Sequence, residues 1–142
     1  MKIKDIAEWL LIADEDFYSA QILNQQVRRP YEIICYHCAQ AVEKYFKGYL
    51  AYHDISVPKT HNLPLLLELC IAGNAEFEKL RTQCGILNKF TNEIRYPYRL
   101  ELHDEDVLYS LGAVTMIKSI KPIKDLLDII LHETKKENTD TL

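Results

Sequence analysis

The sequence has little glycine and proline and few of the alternating patterns that mark β-strands. Its 142 residues include only four glycines and five prolines. Runs in which valine, isoleucine or threonine alternates with polar residues are also scarce, which argues against a sheet. Because 48% of the residues are hydrophobic, the chain is nevertheless expected to fold. We therefore predict an all-α protein.

Positive charge is also in short supply. The 17 lysines and arginines are outnumbered by 21 aspartates and glutamates, which gives a formal net charge of −4 and a pI near 5.7. Broad, sequence-independent binding of nucleic acid needs a basic surface that releases counterions from the phosphates. Any contact with nucleic acid is therefore expected to be local.

Long apolar runs are missing as well. Crossing a bilayer takes about 20 consecutive apolar residues, and no segment approaches that length. The first residues, MKIKDIAEW, place acids and a tryptophan where a signal peptide would have its apolar region. We expect no contact with a membrane and a cytoplasmic location.

The four cysteines do not form the pattern of a redox or metal site. Cys35 and Cys38 formally match C-x-x-C, but a thioredoxin-like site needs that motif after a strand, and a zinc site needs a second pair of ligands. The sequence supplies neither convincingly. We expect these two residues, with Cys70 and Cys84, to be buried, reduced thiols, and we expect no metal and no cofactor.

Helical periodicity in the hydrophobic residues covers most of the chain. It predicts a first helix over about residues 3–26 and a second over about 31–53, separated at Pro30. The inward-facing positions are Ile6, Leu10, Ala13, Phe17 and Ala20 in the first helix and Cys38, Ala41, Tyr45 and Tyr49 in the second. Such stripes are typical of the seams of a helical bundle.

Three further helices are expected. Asn62 is suited to an N-cap and Pro64 to the first turn, so a short third helix should begin there. A fourth helix is predicted over about residues 75–95, and the last from near Asp104 with a kink at Pro122. Four long helices plus one short helix, joined by brief loops, predict an antiparallel up-and-down bundle.

The length of the chain fits one domain. A chain of 142 residues can bury one sizeable core, and no internal repeat or linker is visible. We assign residues 1–134 to a single helical-bundle domain. The tail over residues 135–142 lacks an apolar face, so we expect it to fray.

A polar stripe runs along the second helix. His37, Gln40, Lys44 and Lys47 follow one another at i, i+3, i+7 and i+10, so they share one face. One interpretation is a cleft in which these side chains bind a nucleotide or an RNA phosphate. The other is a solvated face, with Gln40 and Glu43 making structural hydrogen bonds. The sequence leaves both interpretations open.

The stripe belongs to a longer pattern that resembles a known family. A helix of the form H-x-x-Q-x-x-E-K-x-x-K leads to a turn of the form P-x-T-H-x-L, as in the second helix and following loop of the HEPN domain family. The matching residues are His37, Gln40, Glu43, Lys44, Lys47, Pro58, Thr60, His61 and Leu63. The segment NEIRYP at residues 92–97 is similar to the A-R-Y-P segment of that family. The resemblance covers about residues 5–134.

His61 stands directly before the predicted N-cap Asn62. In a structural role its ring would bond the first turn of the third helix or the end of the second helix. In a functional role it would join His37, Gln40, Lys44 and Lys47 in binding a ligand. Both roles follow from the same position in the loop.

The link before the last helix carries groups suited to RNA cleavage. Arg95 and Arg99 match phosphate oxygens bidentately, and the His103 imidazole exchanges a proton near neutral pH. In such a reaction a histidine takes the proton of a ribose 2′-hydroxyl or supplies one to the leaving oxygen, while an arginine stabilises the charge on the phosphorane. No metal is required for this chemistry.

The family resemblance implies that this link can hold a nuclease site. Many HEPN proteins are ribonucleases in which an arginine, followed after four to six residues by a histidine, meets its second copy at a dimer interface. Here seven residues separate Arg95 from His103 and three separate Arg99 from it, so neither pair has that spacing. In the alternative, Arg95 bonds carbonyls at a helix end or a carboxylate such as Glu43, and His103 caps the last helix.

We therefore expect a HEPN-type module that binds a nucleotide or RNA. The resemblance further implies a homodimer with a nucleotidyltransferase-type partner, as in a toxin-antitoxin pair. The first alternative is a metal-independent endoribonuclease of toxin type, with Arg95 or Arg99 and His103 converging at the dimer cleft. The second alternative is a purely structural helical subunit.

Overall fold

The computed structural model describes residues 3–91 and 101–140, with side chains described as far as residue 132. All the secondary structure in these residues is helical, which confirms the all-α prediction. The helices are α1 (Ile3–Asn24), α2 (Tyr31–Tyr52), α3 (Leu63–Gly73), α4 (Arg81–Leu87), α5 (Asp104–Ser119) and α6 (Lys121–Asp140). Two short 3₁₀ segments, Ala75–Leu80 and Asn88–Phe90, flank α4.

The helices α1 and α2 pack against each other in antiparallel directions. Near the start of α2, the His37 Nδ1 lies 3.0 Å from Asp16 Oδ1. Near its end, Gly48 lies against Leu10. Residue numbers rise along α2 as they fall along α1, so the first helical pair of the bundle has the antiparallel arrangement that its short connection predicts.

The helix α5 packs on α2 in the same direction. The Tyr31 hydroxyl donates a hydrogen bond to Asp104 at the start of both helices. Further along, the Ser110 hydroxyl donates to Cys35 Sγ over 3.4 Å. The long return of the chain between α2 and α5 makes this parallel pairing possible. As a result α2 is covered by α1 on one side and by α5 on another.

The core is centred on α2, and the predicted seams of the first two helices are confirmed. Every seam residue is buried, and all lie at 8% relative exposure or less. The four cysteines are free and buried, as expected from the sequence. Burial raises the pKa of each thiol, to about 12 for Cys84. Thiolate is the reactive form, so these cysteines are packing groups at neutral pH.

The third helix begins where the sequence predicts. The Asn62 side chain accepts a hydrogen bond from the Leu65 N–H over 3.1 Å, and proline occupies the first turn. An N-cap of this kind satisfies one of the backbone donors that the first turn of a helix leaves free. Among the described residues, no helix combines the length and the apolar content needed to cross a bilayer.

The predicted fourth helix is corrected in form and length. Its first part, Ala75–Leu80, is 3₁₀, and α-helical geometry extends only over Arg81–Leu87. Phe77 and Leu80 are both fully buried, and residues three apart eclipse each other in a 3₁₀-helix. Packing of this pair therefore explains the tighter winding. The part of the prediction that falls on residues 92–95 lies outside the described residues.

The predicted last helix is two helices instead of one kinked helix. Helix α5 ends at Ser119, Ile120 has extended backbone angles (φ −67°, ψ 145°), and α6 begins at Lys121. Pro122 therefore lies in the first turn of α6, where its missing N–H costs no hydrogen bond. Since α6 continues to Asp140, the predicted fraying of residues 135–142 stays a prediction.

Gly48 is required where α1 and α2 approach most closely. A methyl group at this position would lie 2.8 Å from Leu10 Cδ2 and 3.3 Å from Trp9 Cβ. We expect Gly48→Ala to lower the free energy of unfolding by about 1 kcal/mol, because the cost of overpacking exceeds the gain in helix propensity. Urea denaturation measures this change.

Gly112 provides the matched control for Gly48. It lies within α5, and a Cβ placed there meets no atom within 4 Å. Gly112→Ala should therefore raise the free energy of unfolding by about 0.5 kcal/mol, through helix propensity alone. Equal stabilisation by both substitutions would show that α1 and α2 are not packed this closely.

Candidate functional site

A buried carboxylate lies at the centre of the polar stripe. The Glu43 side chain is only 2% exposed, and its Oε2 lies 3.2 Å from Lys47 Nζ and 3.5 Å from Lys44 Nζ. Its Oε1 lies 2.7 Å from His61 Nδ1. Gln40 completes the group, since its Oε1 accepts a hydrogen bond from Lys44 Nζ over 2.7 Å. We refer to Gln40, Glu43, Lys44, Lys47 and His61 as the Glu43 cluster.

Helical spacing places four members of the Glu43 cluster together. Gln40 and Lys44 are four residues apart, as are Glu43 and Lys47, and such pairs meet on one face of a helix. The loop between α2 and α3 supplies His61. The Thr60 hydroxyl accepts a hydrogen bond from the Asn62 N–H over 3.1 Å, which fixes the backbone on either side of the histidine.

The position of His61 corrects the structural role expected from the sequence. Its ring contacts Glu43 in the middle of α2, and not the end of α2 or the first turn of α3. The His61 side chain is also 65% exposed. It therefore contacts the buried carboxylate on one side while most of its surface stays accessible to a ligand.

The lysines of the cluster are not a solvated face. The Lys47 side chain is 8% exposed and that of Lys44 is 16% exposed. Gln40 and Glu43 do make the structural hydrogen bonds that the second interpretation of the stripe included. Gln40 Nε2 also donates to the Thr91 carbonyl over 3.5 Å. The two interpretations therefore combine, because a hydrogen-bonded network draws cationic side chains inward.

The cluster has more positive than negative charge. One carboxylate faces two ammonium groups, and His61 adds a further positive charge whenever it is protonated. Burying an ion without a partner is costly because water no longer solvates it. A second anion beside Lys44 and Lys47 would complete the charge balance. This surplus is the main electrostatic feature of the site.

His37 belongs to a different contact from the rest of the stripe. Its Nδ1 lies 3.0 Å from Asp16 Oδ1, and the two side chains are 27% and 18% exposed. The pair links α2 to α1. The structure therefore brings Gln40, Lys44, Lys47 and His61 together around Glu43, and engages His37 with α1 instead.

The sequence analysis did not select Trp9, which adjoins the Glu43 cluster. Lys47 Nζ lies 5.6 Å from the centre of the Trp9 ring, a distance typical of a cation–π contact. Trp9 is the only tryptophan of the chain, and this was the one available signal. Its proximity to Lys47 depends on how α1 and α2 align, which periodicity does not give.

The predicted catalytic set is only partly described. His103 is the N-cap residue of α5, which confirms the expectation that it caps the last helix. Its backbone N–H donates to Asp106 Oδ2 over 2.8 Å. Arg95 and Arg99 lie outside the described residues. Their convergence with His103 therefore stays a prediction.

His103 lines an open groove of about 510 Å³ at the start of α5. The lining residues are Tyr31, Leu102, His103, Asp104, Glu105 and Leu108. A hydrogen bond from Tyr31, together with the Arg29 guanidinium, holds the pKa of Asp104 below its usual value. The same hydrogen bond raises the pKa of Tyr31. The groove therefore carries negative charge beside the imidazole.

The part of the chain that the structure describes does not cluster metal ligands. No group of three histidine, cysteine, aspartate or glutamate side chains in it is arranged to hold an ion. The two polar regions, the Glu43 cluster and the His103 groove, are built from hydrogen bonds and ion pairs. Of the two, the Glu43 cluster has the positive charge that an anionic ligand requires.

Comparison with known proteins agrees with the motif carried by these residues. A family model described as the HEPN domain matches residues 6–125. The matched range includes the whole Glu43 cluster, Trp9 and the start of α5. Comparisons with curated proteins and with solved structures gave no match. Because the family match covers most of the chain, this protein belongs to the HEPN domain family.

Proposed function

We propose that this HEPN domain binds the phosphate of a nucleotide or of RNA at the Glu43 cluster. The observation that carries the proposal is the surplus of buried positive charge. Lys44 and Lys47 share a single carboxylate, and both side chains are at least four-fifths buried. A phosphate group accepts hydrogen bonds from ammonium groups and is strongly attracted to them. Membership of the HEPN family supports a nucleotide- or RNA-related role.

The cluster also has the access and rigidity that a binding site needs. The exposed face of His61 gives a ligand a route to the two lysines. Glu43 and Gln40 hold the lysine side chains in defined positions, so fewer rotamers are lost when a ligand binds. Phosphate oxygens would then contact Lys44, Lys47 and the His61 ring. Binding of this kind is local, as the net charge of −4 requires.

The proposal includes a homodimer and a nucleotidyltransferase-type protein partner. Support comes from membership of the HEPN family and from the Arg-to-His spacing, which departs from the nuclease pattern. A cheap observation tests the partner. A neighbouring reading frame that encodes a nucleotidyltransferase-type protein would support it, and an unrelated neighbour would count against it. Sedimentation of the purified chain tests the dimer.

Calorimetric titration with AMP and adenosine tests the binding role. AMP carries the phosphate that the lysines are proposed to hold, whereas adenosine lacks it. We expect AMP to bind and to raise the melting temperature, because a ligand that prefers the folded state stabilises it. Adenosine should bind at least tenfold more weakly. Equal binding of the two ligands, or of neither, would contradict a phosphate site.

A metal-independent endoribonuclease is the second candidate function. The observation in its favour is the exposed position of His103 at the edge of an open groove. Asp104 and Glu105 line the same groove, and their negative charges oppose the approach of an RNA phosphate. This candidate therefore depends on Arg95 and Arg99 to offset the acids.

Cleavage of a mixed-sequence single-stranded RNA in EDTA separates the two candidates. The binding role predicts no cleavage by the wild-type protein, folded and dimeric. Cleavage that His103→Ala and Arg95→Ala both abolish would establish the nuclease instead. General acid–base catalysis contributes about a hundred- to ten-thousand-fold, so the loss of His103 would be clear in that case.

A further inference from the structure

The Glu43 cluster is bordered by an aromatic surface. Trp9 on α1 is partly buried, whereas its neighbour Leu10 is fully buried. Its ring adjoins the Lys47 ammonium, which in turn lies 3.2 Å from Glu43. One side chain thus connects the charged cluster to an indole ring. This ring is not part of the charge balance described above.

The surroundings of Trp9 distinguish one end of the site from the other. Ile12, three residues later on α1, lies on the same side of the helix and is 42% exposed. Asp5, four residues earlier, is also exposed. An apolar surface with a carboxylate beside it does not favour a phosphate. A phosphate is favoured at the lysines, and a planar apolar group at Trp9.

We propose that Trp9 stacks on the base of a nucleotide whose phosphate is held by Lys44 and Lys47. The inference rests on the proposed phosphate site and deepens it, because it names a base and a phosphate as joint requirements. The two ends of the site are separated by about one side chain, a gap that a ribose can bridge. The ligand class is a nucleotide unit, either free or within an RNA strand.

The alternative role for Trp9 is packing alone. Its Cβ lies against Gly48, and its ring contacts the core of the bundle. A packing residue would affect folding but would not distinguish a nucleotide from a sugar phosphate. A stacking residue would distinguish the two, because every base has a flat π-face and a sugar phosphate has none. Ligand selectivity is therefore the readout that separates these roles.

The single tryptophan makes the test direct. Fluorescence of the wild-type protein reports on Trp9 alone, so no label or variant is needed. We expect quenching on titration with AMP, and with a short single-stranded oligoadenylate if the site takes a nucleotide within a strand. Ribose 5-phosphate, which lacks a base, should bind at the lysines without comparable quenching.

Substitution of Trp9 provides the second measurement. In calorimetric titrations Trp9→Leu should weaken AMP binding about tenfold or more while leaving the affinity for ribose 5-phosphate unchanged. Trp9→Phe keeps an aromatic ring and should lose less. Tyr18→Leu is the matched control, since Tyr18 is an aromatic residue of α1, 64% exposed, and two and a half turns away on the opposite face.

Each outcome decides between the two proposals. Quenching by AMP with a selective loss in Trp9→Leu supports stacking. Binding of AMP and ribose 5-phosphate with equal affinity and no fluorescence change overturns stacking and leaves the phosphate site intact. Binding of neither compound overturns the phosphate site, and the inference with it.

Discussion

Replacing Glu43 by glutamine is expected to lower the free energy of unfolding by about 3 kcal/mol or more. The substitution keeps the size of the side chain and removes its charge. Lys44 and Lys47 would then remain in a largely buried position without a counter-ion, and an uncompensated buried charge is strongly destabilising. Urea or guanidinium denaturation measures the change.

Two further variants show whether the effect comes from charge burial. Glu78→Gln removes an exposed carboxylate that pairs with Arg81 and should change stability by less than about 0.5 kcal/mol. Lys47→Met combined with Glu43→Gln removes both members of a buried pair. The double variant should be more stable than Glu43→Gln alone, since replacing both partners by neutral groups is far less costly than removing one.

A loss below about 1 kcal/mol in Glu43→Gln would contradict this account of the cluster. It would mean that water reaches the lysines and solvates them. The same result would weaken the argument for a phosphate site, because that argument rests on surplus charge in a poorly solvated position. The stability measurement therefore tests the electrostatics of the site without any ligand.

Replacing Lys44 by methionine is expected to weaken AMP binding by about ten- to a hundredfold. A hydrogen bond to a charged group contributes about 1.5–3 kcal/mol, which corresponds to that range. Lys44 is the better choice of the two lysines because Lys47 also contacts the Trp9 ring. Methionine keeps the unbranched apolar part of the side chain, so packing against α2 is conserved.

The control for Lys44→Met is Lys79→Met. Lys79 is exposed and pairs with Glu76 three residues earlier, so its removal should leave both stability and AMP affinity unchanged. Lys44→Met should itself remain folded, since Glu43 keeps Lys47 and His61 as partners. Unchanged AMP affinity in a folded Lys44→Met protein would place the binding site elsewhere.

The contrast between the Glu43 cluster and the His103 groove favours binding over cleavage. The cluster has two ammonium groups for one carboxylate. The groove has an imidazole beside Asp104 and Glu105, and Arg29 already pairs with Asp104. An RNA phosphate is therefore drawn to the cluster by charge, whereas at the groove it would meet acids. This difference is the physical reason for ranking the nuclease second.

Several features of the fold could be predicted from residue spacing alone. The seams of α1 and α2 follow from hydrophobic periodicity, and the start of α3 follows from Asn62 and Pro64. Such local signals survive because burial of one face and capping of one turn depend on neighbouring residues in the chain. The mixture of 3₁₀ and α geometry after Ala75, and the break at Ile120, depend on packing against other helices.

The sequence by itself determined an all-α chain, the extent of its first two helices and the set of polar residues on one face of α2. Only the tertiary structure decided what that face does. It places His61, 18 residues from Glu43 in the chain, against the buried carboxylate, and it sets Trp9 of α1 beside Lys47. Helical spacing reports which residues share a face, but the burial of charge depends on what packs over that face.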